Sequence, residues 1–141
     1  MAAYVKYELG IEKMMGAGNA QTDTWQLILS NTAPNVATNT TAASATELGT
    51  AGGYTAGGVN CTVTSAASTG GVYKLTLAAP VSPTWTASGG GFTFRYVILY
   101  NLTLTQCIGY WDYGSSVVMN GTNADTFTPT LDAGNGVFTV T

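Results

Sequence analysis

Apolar and polar residues alternate in several short stretches of the chain, which is the pattern of β-strands with one buried face. The first clear stretch is residues 24–30, and the strongest is residues 92–101, FTFRYVILYN. Further strands are predicted at residues 59–64, 72–77, 84–87, 107–113, 117–120, 125–130 and 137–141. Short strands at this spacing, separated by turn-forming residues, are typical of an antiparallel sandwich or barrel. We therefore expect an all-β fold, a single antiparallel β-sandwich (jelly-roll or Ig-like) of about eight strands.

Residues 1–18 differ in character from the rest and are predicted to form an N-terminal arm, followed by the sandwich domain at residues 19–141. Positions with strand spacing in the arm are Val5, Tyr7, Leu9 and Ile11. Positions with helical spacing are Tyr4, Tyr7, Ile11 and Met14. Gly10 weakens both assignments, because glycine loses more conformational freedom on folding than other residues. The pattern leaves the conformation of the arm open.

A long connection, residues 31–58, lies between the first two core strands and is rich in small residues. A loop of this length in a compact domain is usually functional or contains a short element. Its end, TAGGYTAGGVNCTV at residues 50–63, has the glycines of a phosphate-binding loop, but such a loop leads into a helix N-terminus. Here a strand pattern follows, so the glycines are interpreted as turn formers with positive φ angles. Pro80 and Pro83 are expected to interrupt the chain before an edge segment at residues 84–87.

Charge is scarce: charged residues make up 8% of the 141 residues, against about 25% in ordinary soluble domains. The net charge is −3 and four residues are basic, so the chain cannot build a basic patch and direct nucleic-acid binding is not expected. A Thr-rich, weakly charged surface suits a protein that is packed against its neighbours, or alternatively a domain adapted to harsh extracellular conditions.

The N-terminal sequence carries charges throughout and lacks the apolar segment of a signal peptide, which predicts a cytoplasmic protein at synthesis. The longest apolar run, residues 96–100, is too short to span a bilayer, so no membrane association is expected. Cys61 and Cys107 are interpreted as small buried hydrophobic residues rather than as a disulfide.

The chain has no histidine, which excludes His-based acid–base catalysis, Ser-His-Asp triads and His metal sites. Four carboxylates remain as catalytic candidates, with no recognisable spacing: Glu47, Asp112, Asp125 and Asp132. The Asp and Asn residues of segment 120–135 could form a Ca²⁺ site, but the same residue types are the normal turn formers. We expect no catalytic residue, no metal and no cofactor.

Arg95 lies in the middle of the strongest predicted strand and should have a partner, because a buried unpaired cation is very costly. The first choice is an ion pair with Asp112 in the next strand, and the second is Glu47 in the long loop. Alternatively, the guanidinium stacks on Trp111 or on a tyrosine across the sheet. Each of these roles is structural.

Three tryptophans and several tyrosines raise the hypothesis of a carbohydrate-binding module, since flat rings stack on sugar faces. Trp25 and Trp111 lie within apolar strand patterns, where core packing explains them better. Trp85, between Pro83 and polar threonines, is the tryptophan predicted to be available to a partner.

Six segments together resemble a family of small structural proteins of tailed bacteriophages. They are LILSNTAP (27–34), GGYTAGG (52–58), VYKLTLAAP (72–80), FRYVILYN (94–101), IGYWDYGSS (108–116) and NGVFTVT (135–141). The resemblance covers nearly the whole chain and rests on pattern rather than on a catalytic motif. It implies a β-sandwich without enzymatic activity that binds other virion proteins; some members are capsid decoration, or cement, proteins.

The resulting hypothesis is a capsid cement protein, made in the host cytoplasm and located in the virion, that bridges and stabilises subunits of the major capsid protein. A trimer is favoured, because it matches the symmetry of capsid three-fold positions. The alternatives are a tail or neck protein of the virion and a carbohydrate-binding module. The candidate partner contacts are Tyr4, Val5, Tyr7, Leu9, Ile11, Tyr54 and Trp85.

Overall fold

The computed structural model describes residues 2–78 and 84–141, which form nine strands and one helix. The elements are β1 (Ala3–Lys6), α1 (Glu8–Ala17), β2 (Trp25–Ser30), β3 (Val59–Thr69), β4 (Val72–Ala78), β5 (Trp85–Thr86), β6 (Phe92–Asn101), β7 (Gln106–Met119), β8 (Thr126–Phe127) and β9 (Phe138–Val140). The predicted all-β fold is confirmed. The breaks predicted at Pro80 and Pro83 lie outside the described residues.

Seven of the strands form one antiparallel sheet in the order β1-β7-β6-β2-β3-β4-β9. Its two edge strands, β1 and β9, line opposite sides of the same open cavity, so the sheet is curled. The remaining strands, β5 and β8, pair into a small second sheet. This second sheet packs on the first through Phe127, whose ring centroid lies 4.8 Å from that of Phe94 and 5.6 Å from that of Tyr113. The architecture is therefore an all-β, sandwich-like fold.

The central strands β2 and β6 are covered on both faces, which explains why their sequences are almost continuously apolar. One face carries the main core, to which β2 contributes Trp25, Leu27 and Leu29. The other face carries a smaller cluster that includes Ile28 and, from the long loop, Ala45. Loop 31–58 therefore forms a cover over the second face of the sheet.

The same loop also takes over the hydrogen bonds of β2 beyond the end of β3. The pairing of β2 with β3 ends at Leu27, whereas the pairing with β6 continues to Ser30. In this gap the Leu29 N–H donates to the hydroxyl of Tyr54 (3.1 Å), and the Leu29 carbonyl accepts from the Leu48 N–H (2.8 Å). The backbone of a buried strand is thus satisfied by a loop rather than by a neighbouring strand.

Several strand bounds differ from the prediction. Residues 107–113 and 117–119, predicted to lie in separate strands, belong to the single long strand β7, which is joined to β6 with two register shifts. Of the predicted strand 125–130, only Thr126–Phe127 is strand. The segment between the predicted strands 59–64 and 72–77, expected to be a turn, is mostly strand, because β3 continues to Thr69 and the reversal needs just Gly70 and Gly71, both with positive φ. Two glycines at this position are the expected chemistry of a two-residue hairpin turn.

The N-terminal arm contains both of the patterns seen in its sequence, one after the other. Ala3–Lys6 is strand β1, paired with β7, and Glu8–Ala17 is helix α1. A Cβ atom at Gly10 would collide with the backbone carbonyl of Cys107, so glycine is what lets α1 lie directly on β7. Gly10 is therefore a packing requirement of the helix.

Candidate assembly surface

The outer edge of β1 presents backbone groups that have no strand partner among the described residues. The Tyr7 N–H donates to the Ile108 carbonyl (3.0 Å), directly opposite in the continuing register. Since successive residues of a strand point their N–H and C=O groups to opposite sides, Val5 also faces β7. The N–H and C=O groups of Tyr4 and Lys6 consequently point away from β7, towards the open edge.

An open cavity of about 620 Å³ lies between this edge and the opposite end of the sheet. Tyr4 and Lys6 of β1 line one side of it, and β4, β9 and the turn before β9 line the other. Gly136 shapes that turn: it has a φ of 79°, and a Cβ atom there would crowd Lys74 and the Leu75 carbonyl. We refer to this space as the edge cavity.

Two of the four basic residues of the chain, Lys6 and Lys74, line the edge cavity, and none of its seven acidic residues does. The ammonium group of Lys74 donates to the Gly134 carbonyl (2.6 Å). The ammonium group of Lys6 has no hydrogen-bond or ion-pair partner within residues 2–78 and 84–141. The nearby carboxylate of Asp132 is occupied by its own turn, where it accepts from the N–H groups of Gly134 and Asn135. The edge cavity is therefore locally positive on a negatively charged protein.

Among the predicted partner contacts in the arm, Val5 has the most exposed side chain, at 37%. Tyr4, Leu9 and Ile11 are half-buried. Tyr7 was expected at the surface, but it is fully buried and packs against the ring of Tyr110 at a centroid distance of 5.7 Å. Its burial follows from its position at the joint between β1 and α1, where the chain turns onto β7.

Trp85 and Tyr54 are not available to a partner, which corrects the sequence-based expectation. Trp85 is 4% exposed and its ring is stacked on Phe127 of the paired strand. Tyr54 is 1% exposed, and its hydroxyl donates to the Glu47 carboxylate (2.7 Å). Glycines with positive φ on both sides of Tyr54 fold the loop back so that the ring points inwards. Trp85 therefore offers no exposed ring face on which a sugar could stack.

Arg95 and Asp112 form the ion pair that was the first choice from the sequence. The guanidinium donates from Nε to Oδ1 (2.8 Å) and from a terminal nitrogen to Oδ2 (3.0 Å). The Arg95 guanidinium and the N–H of Gly114 hold the pKa of Asp112 below its usual value. The guanidinium also lies 5.2 Å from the ring centre of Tyr96, its neighbour in sequence. The side chains of Arg95 and Asp112 are 39% and 34% exposed, so this is a surface ion pair.

The other carboxylates named as candidates serve the local backbone. Glu47 accepts from the Tyr54 hydroxyl and from the Gly57 N–H (2.6 Å). Asp125 accepts from the Asn120 N–H (2.8 Å), and Asp132 fixes the turn before β9. For Asp125 and Asp132 these are the contacts of turn formers, as the sequence of segment 120–135 indicated. The described part of the chain has no group of three or more His, Cys, Asp or Glu side chains able to hold a metal ion.

Both cysteines are free thiols, Cys107 buried and Cys61 half-buried. Burial raises the pKa of each thiol to about 12. Thiols of this kind pack as small hydrophobic residues and are poor nucleophiles at neutral pH.

The lysines of the edge cavity were not identified from the sequence as part of a site. Lys6 and Lys74 lie far apart along the chain and in ordinary strand patterns. Only the curl of the sheet brings the edges together, and curl is not encoded by a motif. The one signal available from the sequence was the scarcity of basic residues, because it gives weight to the presence of both Lys6 and Lys74 in one cavity.

No described helix of the chain combines the length and the apolar character needed to cross a membrane. No protein-family model, no curated protein and no solved structure matches the chain.

Proposed function

We propose that the chain is a non-enzymatic structural protein of a tailed-bacteriophage virion, a capsid decoration protein that bridges subunits of the major capsid protein. The observation that carries the proposal is the pair of sheet edges around the edge cavity, β1 and β9, which have no further strand partner within residues 2–78 and 84–141. Free strand edges bind neighbouring chains through their backbone groups, and native proteins otherwise protect them.

Two sequence features support the same proposal. Five of the six segments that resemble phage structural proteins overlap strands of the sheet, namely β2, β4, β6, β7 and β9, whereas GGYTAGG (52–58) lies in loop 31–58. The charge-poor surface tolerates many copies side by side, because little electrostatic repulsion separates them. In a virion, repeated copies would add avidity without any single strong contact.

The experiment is quantitative mass spectrometry of virions purified from the phage whose genome encodes this chain, with the major capsid protein as the internal standard. A copy number comparable with the number of capsid lattice positions is expected. A handful of copies per virion would instead place the protein in the tail or neck, and its absence from virions would refute the proposal.

The oligomeric state is a separate part of the proposal. Light scattering coupled to size-exclusion chromatography should give three times the protomer mass of 14.5 kDa. A stable monomer would contradict the trimer and restrict oligomerisation to assembly on the capsid.

A further inference from the structure

We propose that the edge cavity binds an extended, carboxylate-bearing segment of a partner protein as an added strand between β1 and β9. This inference deepens the proposed function and rests on it, since it specifies which segment of a virion partner the chain would bind.

The backbone of β1 can pair with an added strand. The N–H and C=O groups of Tyr4 and Lys6 point to the open edge, so an incoming strand finds a donor and an acceptor on each of these residues. On the far side, β9 pairs with β4 along one edge and is the last strand of the sheet. A segment lying between them would continue the sheet from β1 towards β9.

The size of the edge cavity suits a short strand. One residue of a strand takes up about 3.3 Å along the strand, about 4.8 Å to the neighbouring strand and about 10 Å to the next packed sheet, and the product of these spacings is about 160 Å³. The open edge cavity, at about 620 Å³, has room for a few residues of extended chain. This matches the length of β1, which has four residues.

The charge of the edge cavity selects the partner. Lys6 and Lys74 line the cavity, none of its lining residues is acidic, and the nearby Asp132 carboxylate is bound within its own turn, so a carboxylate on the incoming strand would meet two cations. A second copy of this chain that paired through β1 would instead bring its own Lys6 to these cations, and strand β9, Phe138–Val140, would bring no charged side chain. A lysine on an edge strand disfavours such edge-to-edge pairing, which leaves an acidic segment of another protein as the preferred occupant.

The test uses the full chain labelled with ¹⁵N and titrated with the blocked peptide TEVEVT, followed by NMR. Two peptides serve as controls: TQVQVT, which removes the charges, and TEVEVT with N-methylated backbone, which removes the donors. The matched protein variants are Lys6→Gln and Lys74→Gln, with Lys13→Gln as the control, because Lys13 lies on α1 and lines a different cavity. Circular dichroism verifies that each variant is folded.

The expected result is saturable binding of TEVEVT with a Kd of about 1 mM or tighter. The amides of Tyr4 and Lys6 should shift and exchange more slowly with solvent. Each cavity lysine should contribute about threefold in affinity, as expected for exposed ion pairs, and the double variant should bind about tenfold more weakly. Lys13→Gln should bind as wild type.

Several results would overturn the proposal: no saturation by TEVEVT, equal binding of TQVQVT or of the N-methylated peptide, or equal losses in the Lys6 and Lys13 variants. Shifts of the same amides with protein concentration alone would assign the cavity to a second copy and overturn it too. The titration uses purified protein, so a failure to bind the peptide would not change the copy number measured in virions. The proposed function would then still be tested by that copy number. Conversely, a chain that is absent from virions could still bind the peptide.

Discussion

Replacing Tyr54 with phenylalanine removes one oxygen atom from the point where loop 31–58 joins β2. That hydroxyl accepts the Leu29 N–H (3.1 Å) and donates to the Glu47 carboxylate (2.7 Å). Leu29 is completely buried, so no water can replace the lost acceptor without opening the core. Glu47 is half-buried and keeps its bond from the Gly57 N–H, so part of its loss can be compensated by solvent.

The magnitude follows from these two contacts. A buried N–H left without an acceptor costs about 1–3 kcal/mol, and a hydrogen bond to a charged group contributes about 1.5–3 kcal/mol. With partial rehydration of Glu47, Tyr54→Phe should lower the free energy of unfolding by about 2–4 kcal/mol. For a urea m-value of about 2 kcal/mol/M, the unfolding midpoint should fall by about 1–2 M.

The chain offers a matched control in Tyr7, whose ring is as buried as that of Tyr54 but whose hydroxyl has no partner among the described residues. Tyr7→Phe removes an unsatisfied polar atom, so it should leave stability unchanged or raise it by about 1 kcal/mol. Both variants are measured by equilibrium urea unfolding, followed by tryptophan fluorescence. Equal midpoints for the two variants would refute the argument that the Tyr54 hydroxyl fastens the loop to β2.

Three further predictions follow from contacts described above. Gly10→Ala should destabilise the protein by about 1–3 kcal/mol, since α1 must move off β7. Gly16 lies on the same helix with open space around it, so Gly16→Ala should stabilise the protein by about 0.5–1 kcal/mol. Equal effects of the Gly10 and Gly16 substitutions on thermal unfolding would contradict this. Because the pKa values of the Cys61 and Cys107 thiols are raised to about 12, few of these thiols are ionised at about pH 8. In the folded protein they should react with a disulfide reagent roughly 1000-fold more slowly than in the unfolded chain, which the absorbance of the released thiol measures. Asp112 has a folded-state pKa below its unfolded value, so its contribution to the free energy of unfolding is present above about pH 4 and is lost as the pH falls through the folded pKa. Asp112→Asn should therefore reduce the fall in stability at acid pH, measured by urea unfolding at a series of pH values. An unchanged fall would contradict this.

The strands of the core could be predicted because their patterns are local. Residues 92–101 coincide with β6, and residues 24–30 differ from β2 by one position. The ion pair of Arg95 and Asp112 was also accessible, because a charge in a strand needs a partner and neighbouring strands pair antiparallel.

The orientation of the aromatic side chains could not be predicted, because it depends on contacts between distant parts of the chain. Trp85 has polar neighbours in sequence, but its strand pairs with β8, and the second sheet turns the ring inwards onto Phe127. Tyr54 is buried by the fold-back of its loop onto β2. The edge cavity was unpredictable for the same reason, since it exists only where the two ends of a curled sheet approach.

The pairing of β1 with β7 has a consequence for how the chain is made. Ala3 lies opposite Asp112, so β1 leaves the ribosome roughly 100 residues before its partner strand. At typical rates of translation the segment waits about 5–20 s before that partner exists. During this interval the side chains of Tyr4, Val5 and Tyr7 are exposed on the nascent chain, available to chaperones and to other unfolded chains. Of the described strands, β1 is therefore synthesised earliest, and it cannot pair until β7 has been made.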